Sequence, residues 1–342
     1  MKTRLILTRA ALGLLLLLSG PATLRAEISV RLSVKFILDS NGNRPSGNLS
    51  NATGFGAEII RGNQILAATG RAYALQVVEY IDIQPPVPAG SNANYWFTLP
   101  ARANRATIEA AALANTATWR WNGTTLNMYV NGSSSGQCSF VGGGSSISFG
   151  GSVGIGTVLH EVGHYFNLRH THALDYADNT NPATFTAADL RDGDGLTETA
   201  NDNPNITNNN QLCVALFSKA YTNASVQERA VVDSAYENVM SYHNENALLS
   251  VQMDIWGQNA NGARLFSCSG RTWFVANDGS DGATGDNAGA PYATLARGLS
   301  SVASGDDVIL LRAGNYLSPA GGTITTRCTL GGTRGTVSIF RP

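Results

Sequence analysis

Blocks of like charge are missing from this 342-residue chain: 23 basic and 24 acidic residues are mixed along it and leave a formal net charge of −1. Without a basic stripe there is no electrostatic footprint for nucleic acid or an anionic membrane, so neither partner is expected. Beyond the first eighteen residues no apolar run approaches the roughly 20 residues a spanning helix needs, which excludes an internal membrane helix. Cysteine is scarce, with Cys138, Cys213, Cys268 and Cys328 and no C-x-x-C pair, which argues against a cysteine-ligated zinc. No repeat at solenoid period is visible. Histidine is equally rare at five residues, but it is spent unevenly.

What is present allows a sizeable core. Hydrophobic residues make up 43% of the chain and charged ones 14%, a composition unlike that of disordered segments and open to one large domain or two smaller ones. The chain opens Met1-Lys2-Thr3-Arg4, adds Arg9, then runs apolar from Ala10 to Leu18 and ends this stretch in small and helix-breaking residues at Ser19 to Ala22. That order predicts a signal peptide over residues 1–26, cleaved after Ala22 or Ala26. A membrane anchor is the weaker reading, because the run is about half the roughly 20 residues of a spanning helix. The expected location is therefore secreted, extracellular or periplasmic, with no membrane association after cleavage. Export also makes the four cysteines disulfide candidates, with three pairings open.

Periodicity predicts a strand over Ile28–Leu38, a helix over Gly56–Ala68, a strand over Tyr73–Ile83 and a helix over Arg105–Thr118. A strand at Thr125–Val130, a Gly/Ser-rich loop from Asn131 to Gly156 and a histidine-bearing helix follow. Asp175 to Asn210 reads as a long polar loop, functional or held by a ligand, and helical patterning resumes at Ser225–Tyr236. Composition shifts near Gly270, where Gly and Asp become frequent and short β-like runs appear at Trp273–Ala276, Asp307–Leu311 and Thr336–Phe340. The boundary is placed so that residues 27–268 form one domain and 269–342 a small β-rich segment.

Four of the five histidines fall in the thirteen residues from His160 to His172. Residues four apart on a helix lie about 40° apart around the axis and about 6 Å along it, so His160 and His164 can face one ion. Glu161, beside the first ligand, can approach an activated water without binding the metal. His170 cannot be reached by a straight helix, so the chain must turn near Asn167, a residue type that tolerates the left-handed conformation ending helices. His172 competes with His170 as third ligand, with a less suitable spacing. Three neutral nitrogens with one open position describe a catalytic zinc site. In it the metal activates water and polarises a carbonyl, and Glu161 accepts the water proton and passes it to the leaving amine.

The run His160-Glu161-Val162-Gly163-His164-Tyr165-Phe166-Asn167-Leu168-Arg169-His170 resembles the long zinc motif of the metzincin metallopeptidases, with Asn167 in place of its glycine. Met240 resembles their methionine turn, and Tyr242 the tyrosine that in several branches stabilises the tetrahedral intermediate. His170-Thr171-His172, Gly193-Asp194-Gly195 and Asn203-Pro204 make the pappalysin-like branch the most similar. This resemblance, over roughly residues 28–265, implies an α+β fold: a two-lobed catalytic domain with a mixed sheet and an active-site helix. It implies zinc on His160, His164 and His170, with Glu161 and Tyr242 catalytic, and a protein or peptide as substrate. Some members bind calcium near the cleft, and Asp189, Asp192, Asp194, Glu198 and Asp202 make Ca2+ a second candidate metal.

The C-terminal segment, from Trp273-Phe274-Val275 through Ala313-Gly314-Asn315-Tyr316, resembles the opening coil of a pectate-lyase-like parallel β-helix. Such folds often meet polysaccharide, which adds a contact to test through this segment, although about seventy residues are too few to complete the fold. The leading expectation is a secreted, monomeric zinc metalloendopeptidase. The alternative is a carbohydrate-associated binding protein with an accessory or inactive peptidase domain; Glu161 argues against inactivity, since a structural site needs no general base.

Overall fold

Alternating side chains in Ile-Ser-Val-Arg-Leu-Ser-Val-Lys-Phe-Ile form strand β1 (Ile28–Ile37), whose Val30, Leu32, Val34 and Phe36 enter the main core. The intervening Arg31, Ser33 and Lys35 are buried too, because β1 lies inside a parallel sheet covered on both faces. The structure, a computed structural model, describes residues 28–71, 73–134, 136–138, 144–173, 184–260, 263–268, 272–285, 290–302, 307–318, 324 and 328–340. The expected signal peptide lies outside them.

Helix α1 (Ala52–Ala68) carries the chain over the sheet to β2 (Tyr73–Ile83), which pairs parallel to β1. It starts four residues before the position expected from its apolar spacing, because Asn51 caps it by accepting hydrogen bonds from the amides of Thr53 and Gly54. A single turn, α2 (Tyr95–Thr98), and α3 (Ala101–Ala114) lead to β3 (Leu126–Ser134). Helix α3 also begins and ends earlier than expected.

The Gly/Ser-rich stretch expected to be a loop is largely strand, which corrects the reading of 131–156. β3 runs on to Ser134, β4 (Gly136–Cys138) follows, and β5 (Ser146–Ser152) completes a five-stranded sheet of order β2-β1-β3-β5-β4. Only β4 pairs antiparallel. Close approach explains the composition: a Cβ on Gly151 would stand 2.2 Å from the carbonyl oxygen of Ser46, and one on Gly47 2.3 Å from that of Gly151. Low strand propensity yields here to tertiary packing.

The helix carrying the histidines, α4 (Thr157–Tyr165), lies on one face of this sheet. Its Val158, Leu159, Val162 and Tyr165 join the core built by β1, β3 and β5. The opposite face packs Ile37, Trp96, Ile108, Trp119 and Tyr129. Helices α5 (Asn209–Phe217) and α6 (Val226–Tyr236) share a second cluster around Leu212 and Val232. Helix α5 starts where the polar stretch from Asp175 was expected to end, under an Asn208 cap. Helices α7 (Ser250–Ala260) and α8 (Leu265–Cys268) return to the main core, which contains Met253, Trp256 and Cys268.

After these, β6 (Thr272–Val275), α9 (Leu295–Ser301), β7 (Val308–Leu317) and β8 (Thr329–Phe340) form a separate parallel sheet of order β6-β7-β8. It has its own core around Trp273, Tyr292, Ile309 and Tyr316. The molecule is thus a mixed α/β protein with parallel sheets, in line with the α+β class. Cys213, Cys268 and Cys328 are free thiols rather than disulfide partners; the side chain of Cys138 lies outside the described residues. No described helix is long and apolar enough to cross a membrane.

Candidate metal centre

Helix α4 begins at Gly156, whose φ of +92° and close neighbour Glu245 leave no room for a side chain. The Gly156 amide donates to Glu58 Oε2 at 2.8 Å. From this start His160, Glu161 and His164 fall on consecutive turns, all buried. The helix ends in a Schellman motif: Leu168 N–H donates to Gly163 O and Asn167 N–H to His164 O, both at 2.9 Å, with Asn167 at φ +68°. The expected left-handed turn at Asn167 is therefore present, and it folds the following segment back so that His170 reaches the two helical histidines.

The three rings converge. His170 Nε2 lies 3.2 Å from His160 Nε2 and 3.0 Å from His164 Nε2. Among the described residues this is the group of histidine, cysteine and acidic side chains that could hold a metal ion. The other ring nitrogens fix the tautomers, since a carbonyl can only accept: His160 Nδ1 donates to Val239 O at 2.7 Å and His164 Nδ1 to Leu168 O at 2.8 Å. The Nε2 atoms of both rings therefore present lone pairs to the centre. One proton on His170 Nε2 satisfies only one of its two contacts, whereas a cation satisfies all three rings. A tetrahedral zinc with Zn–N bonds of about 2.0–2.1 Å separates its nitrogens by about 3.3–3.4 Å, close to the spacing of these pairs. Burial pulls His160, His164 and His170 down to about 3, 4 and 2, which keeps them neutral and able to bind metal.

His172 does not join the set. Its ring stacks on His170 at 4.9 Å and 6° and is buried, and its backbone bridges Asp192. Met240 is fully buried beneath α4, and a Cβ on Gly163 would lie 2.5 Å from its sulfur. The lack of a side chain at Gly163 is thus what lets Met240 approach. Asn238 Oδ1 holds the turn by accepting Met240 N–H at 2.9 Å. Tyr242 is 41% exposed, and its ring lies 4.8 Å from that of His170 and 5.8 Å from that of His160.

Three of the five loop carboxylates expected as calcium ligands are engaged separately by neighbouring donors. Asp189 accepts from the Thr186 amide and hydroxyl, and Asp192 from the amides of Asp194 and Gly195. Asp202 accepts from Thr171 and His243.

Two residues beside the centre were not singled out as part of a site from sequence. The pairing of His243 with Asp202 spans 41 residues and leaves no local signal in the sequence. Glu245, at φ +49°, brings Oε1 to 3.8 Å from His160 Nδ1, and burial pushes its carboxyl up to about 8.

No protein-family model and no curated protein matches the chain. Among the solved structures that match is a chaperone-substrate complex, similar at TM-score 0.36 and 13% identity, covering 70% of this chain and 35% of that one. The chain therefore spans about a third of that structure's length, and so loose an overlap says nothing about the site.

Proposed function

We propose that the chain is an exported zinc-dependent metalloendopeptidase with a two-lobed catalytic domain of metzincin type, most similar to the pappalysin-like branch. The observation that carries this reading is the convergence of three neutral imidazoles, His160 and His164 buried and His170 half-buried, with the remaining nitrogens of His160 and His164 tied to backbone carbonyls. His160, His164 and His170 hold the metal, and the Val239 and Leu168 carbonyls keep two of the rings in the metal-binding tautomer. Bound zinc supplies Lewis acidity that polarises a peptide carbonyl and brings the ionisation of water toward neutral pH.

The remaining work falls to side chains. Glu161, buried on α4 next to His160, takes the proton from the attacking water and delivers it to the leaving nitrogen. Tyr242, partly exposed over the histidines, is placed to donate a hydrogen bond to the oxygen on which charge develops.

Purified protein with its zinc quantified, assayed on a peptide library beside Glu161→Ala, tests the proposal. Both proteins should carry one zinc per chain, and the substitution should lower kcat by about 10²–10⁴-fold, the range for loss of a general acid–base group. A zinc-loaded wild type that cleaves no more than Glu161→Ala would overturn it.

A further inference from the structure

We infer that Asp202 and His243 form a positioning pair that ties the third histidine ligand to Tyr242, so that holding the metal and placing the tyrosine depend on one buried carboxylate. The inference rests on the metal site proposed for His160, His164 and His170. Asp202 is 0% exposed, and each oxygen serves a different segment. Oδ2 accepts the hydroxyl of Thr171 at 3.0 Å, the residue after His170. Oδ1 accepts His243 Nε2 at 2.9 Å, the residue after Tyr242, together with the amide of Asn203 at 2.7 Å.

The same two segments meet directly as well, since Thr171 N–H donates to Met240 O at 3.2 Å. His243 has little freedom. Its ring stacks on Tyr236 at 5.0 Å and 10°, and its amide donates to Ser241 Oγ at 3.1 Å. Asp202 is held by backbone pairing with Arg191. A carboxylate removed from water is costly unless charge-assisted hydrogen bonds replace its hydration, and three donors do so here. A loop that merely needed packing could use an apolar residue at lower cost. The specific outcome of using Asp202 is that its two arms end one residue from a metal ligand and one residue from the tyrosine.

The arms can be cut separately. Thr171→Val keeps the side-chain shape and removes the hydroxyl; zinc affinity, read by chelator competition, should fall about 10–100-fold, the usual effect of losing an outer partner of a ligand. The visible absorption of the Co2+-substituted protein should change, and Thr171→Ser should restore both. His243→Phe keeps the stack on Tyr236 and removes the Nε2 donor. It should lower kcat with zinc affinity near that of the wild type, and add little to the loss already caused by Tyr242→Phe, as expected for residues acting through one another. Asp202→Asn should weaken both functions. Thermal unfolding of the metal-free proteins checks that each variant folds; if Asp202→Asn does not, the Thr171 pair decides. Wild-type zinc affinity and an unchanged Co2+ spectrum in Thr171→Val, or additive losses in His243→Phe with Tyr242→Phe, would overturn the inference. A wild type that binds metal but hydrolyses nothing would instead count against the peptidase reading, leaving the metal measurements on Thr171 to stand by themselves.

Discussion

Between His170 and His172 the chemistry is the same and the geometry is not: one ring enters the converging set and the other stacks flat against it at 4.9 Å. His172→Phe keeps an aromatic face there and should leave zinc stoichiometry at one per chain, with affinity within a few-fold of wild type. His170→Ala should lose more than the 10–100-fold typical of an outer partner. Isothermal titration of the two variants separates them, and equal losses would mean that the ring assignments are wrong. The pairing of His160 with His164, and Glu161 beside it, was legible in the sequence, because a spacing of four is a local property of a helix. The third ligand was not settled, since the choice between His170 and His172 depends on the course of the chain after it leaves the helix. Asp202 was legible as an acid of a polar loop and a candidate calcium ligand, not as a partner of His243, which is 41 residues away, and no spacing rule reaches that far.

At the scale of the element, the site depends on how α4 ends. Asn167 at φ +68° reverses the chain, and a left-handed residue other than Gly, Asn or Asp costs about 1–2 kcal/mol. Asn167→Ala should therefore lower the unfolding free energy by about that amount and weaken zinc binding, while Asn167→Gly should leave both near wild type. Urea denaturation of the metal-free proteins and chelator competition of the loaded ones measure the two effects. One turn earlier, Gly163→Ala brings a Cβ to 2.5 Å from Met240 Sδ. The gain of up to about 1 kcal/mol from helix propensity is opposed by about 1–3 kcal/mol of overpacking, so net destabilisation is expected. The turn at Asn167 was legible in the sequence, whereas the need for a small residue at Gly163 was not, because Met240 that packs against it lies 77 residues along the chain. β5 was illegible because its Gly and Ser residues answer to the neighbouring Ser46–Gly47 backbone rather than to strand propensity.

For the whole molecule, the buried titrating groups set how stability and metal binding respond to pH, and they do so in different ways. His160, His164, His170 and His172 are pulled by burial to about 3, 4, 2 and 4, below the ordinary value of 6.5. Between those values and 6.5 the unfolded chain binds protons that the folded one refuses, so their contribution is complete above pH 6.5 and is lost as pH falls below it. Glu245 acts in the opposite direction. Raised by burial from 4.5 to about 8, it stays neutral in the fold while the unfolded chain ionises, so it removes stability as pH rises from about 4.5 to 8. Glu245→Gln should accordingly raise the metal-free thermal midpoint more at pH 8 than at pH 5. Zinc affinity should follow neither slope, because binding depends on the protonation of the folded protein, where all three ligands are already neutral at pH 5. A solvent-exposed histidine cluster would lose affinity steeply below pH 6.5 as its ligands take up protons. In this centre, chelator competition at pH 7, 6 and 5 should give nearly constant affinity even as the metal-free fold weakens. A loss of about tenfold or more per pH unit below 6.5 would show that the histidines are protonated in the folded chain and that the desolvated, preformed site inferred for them does not exist.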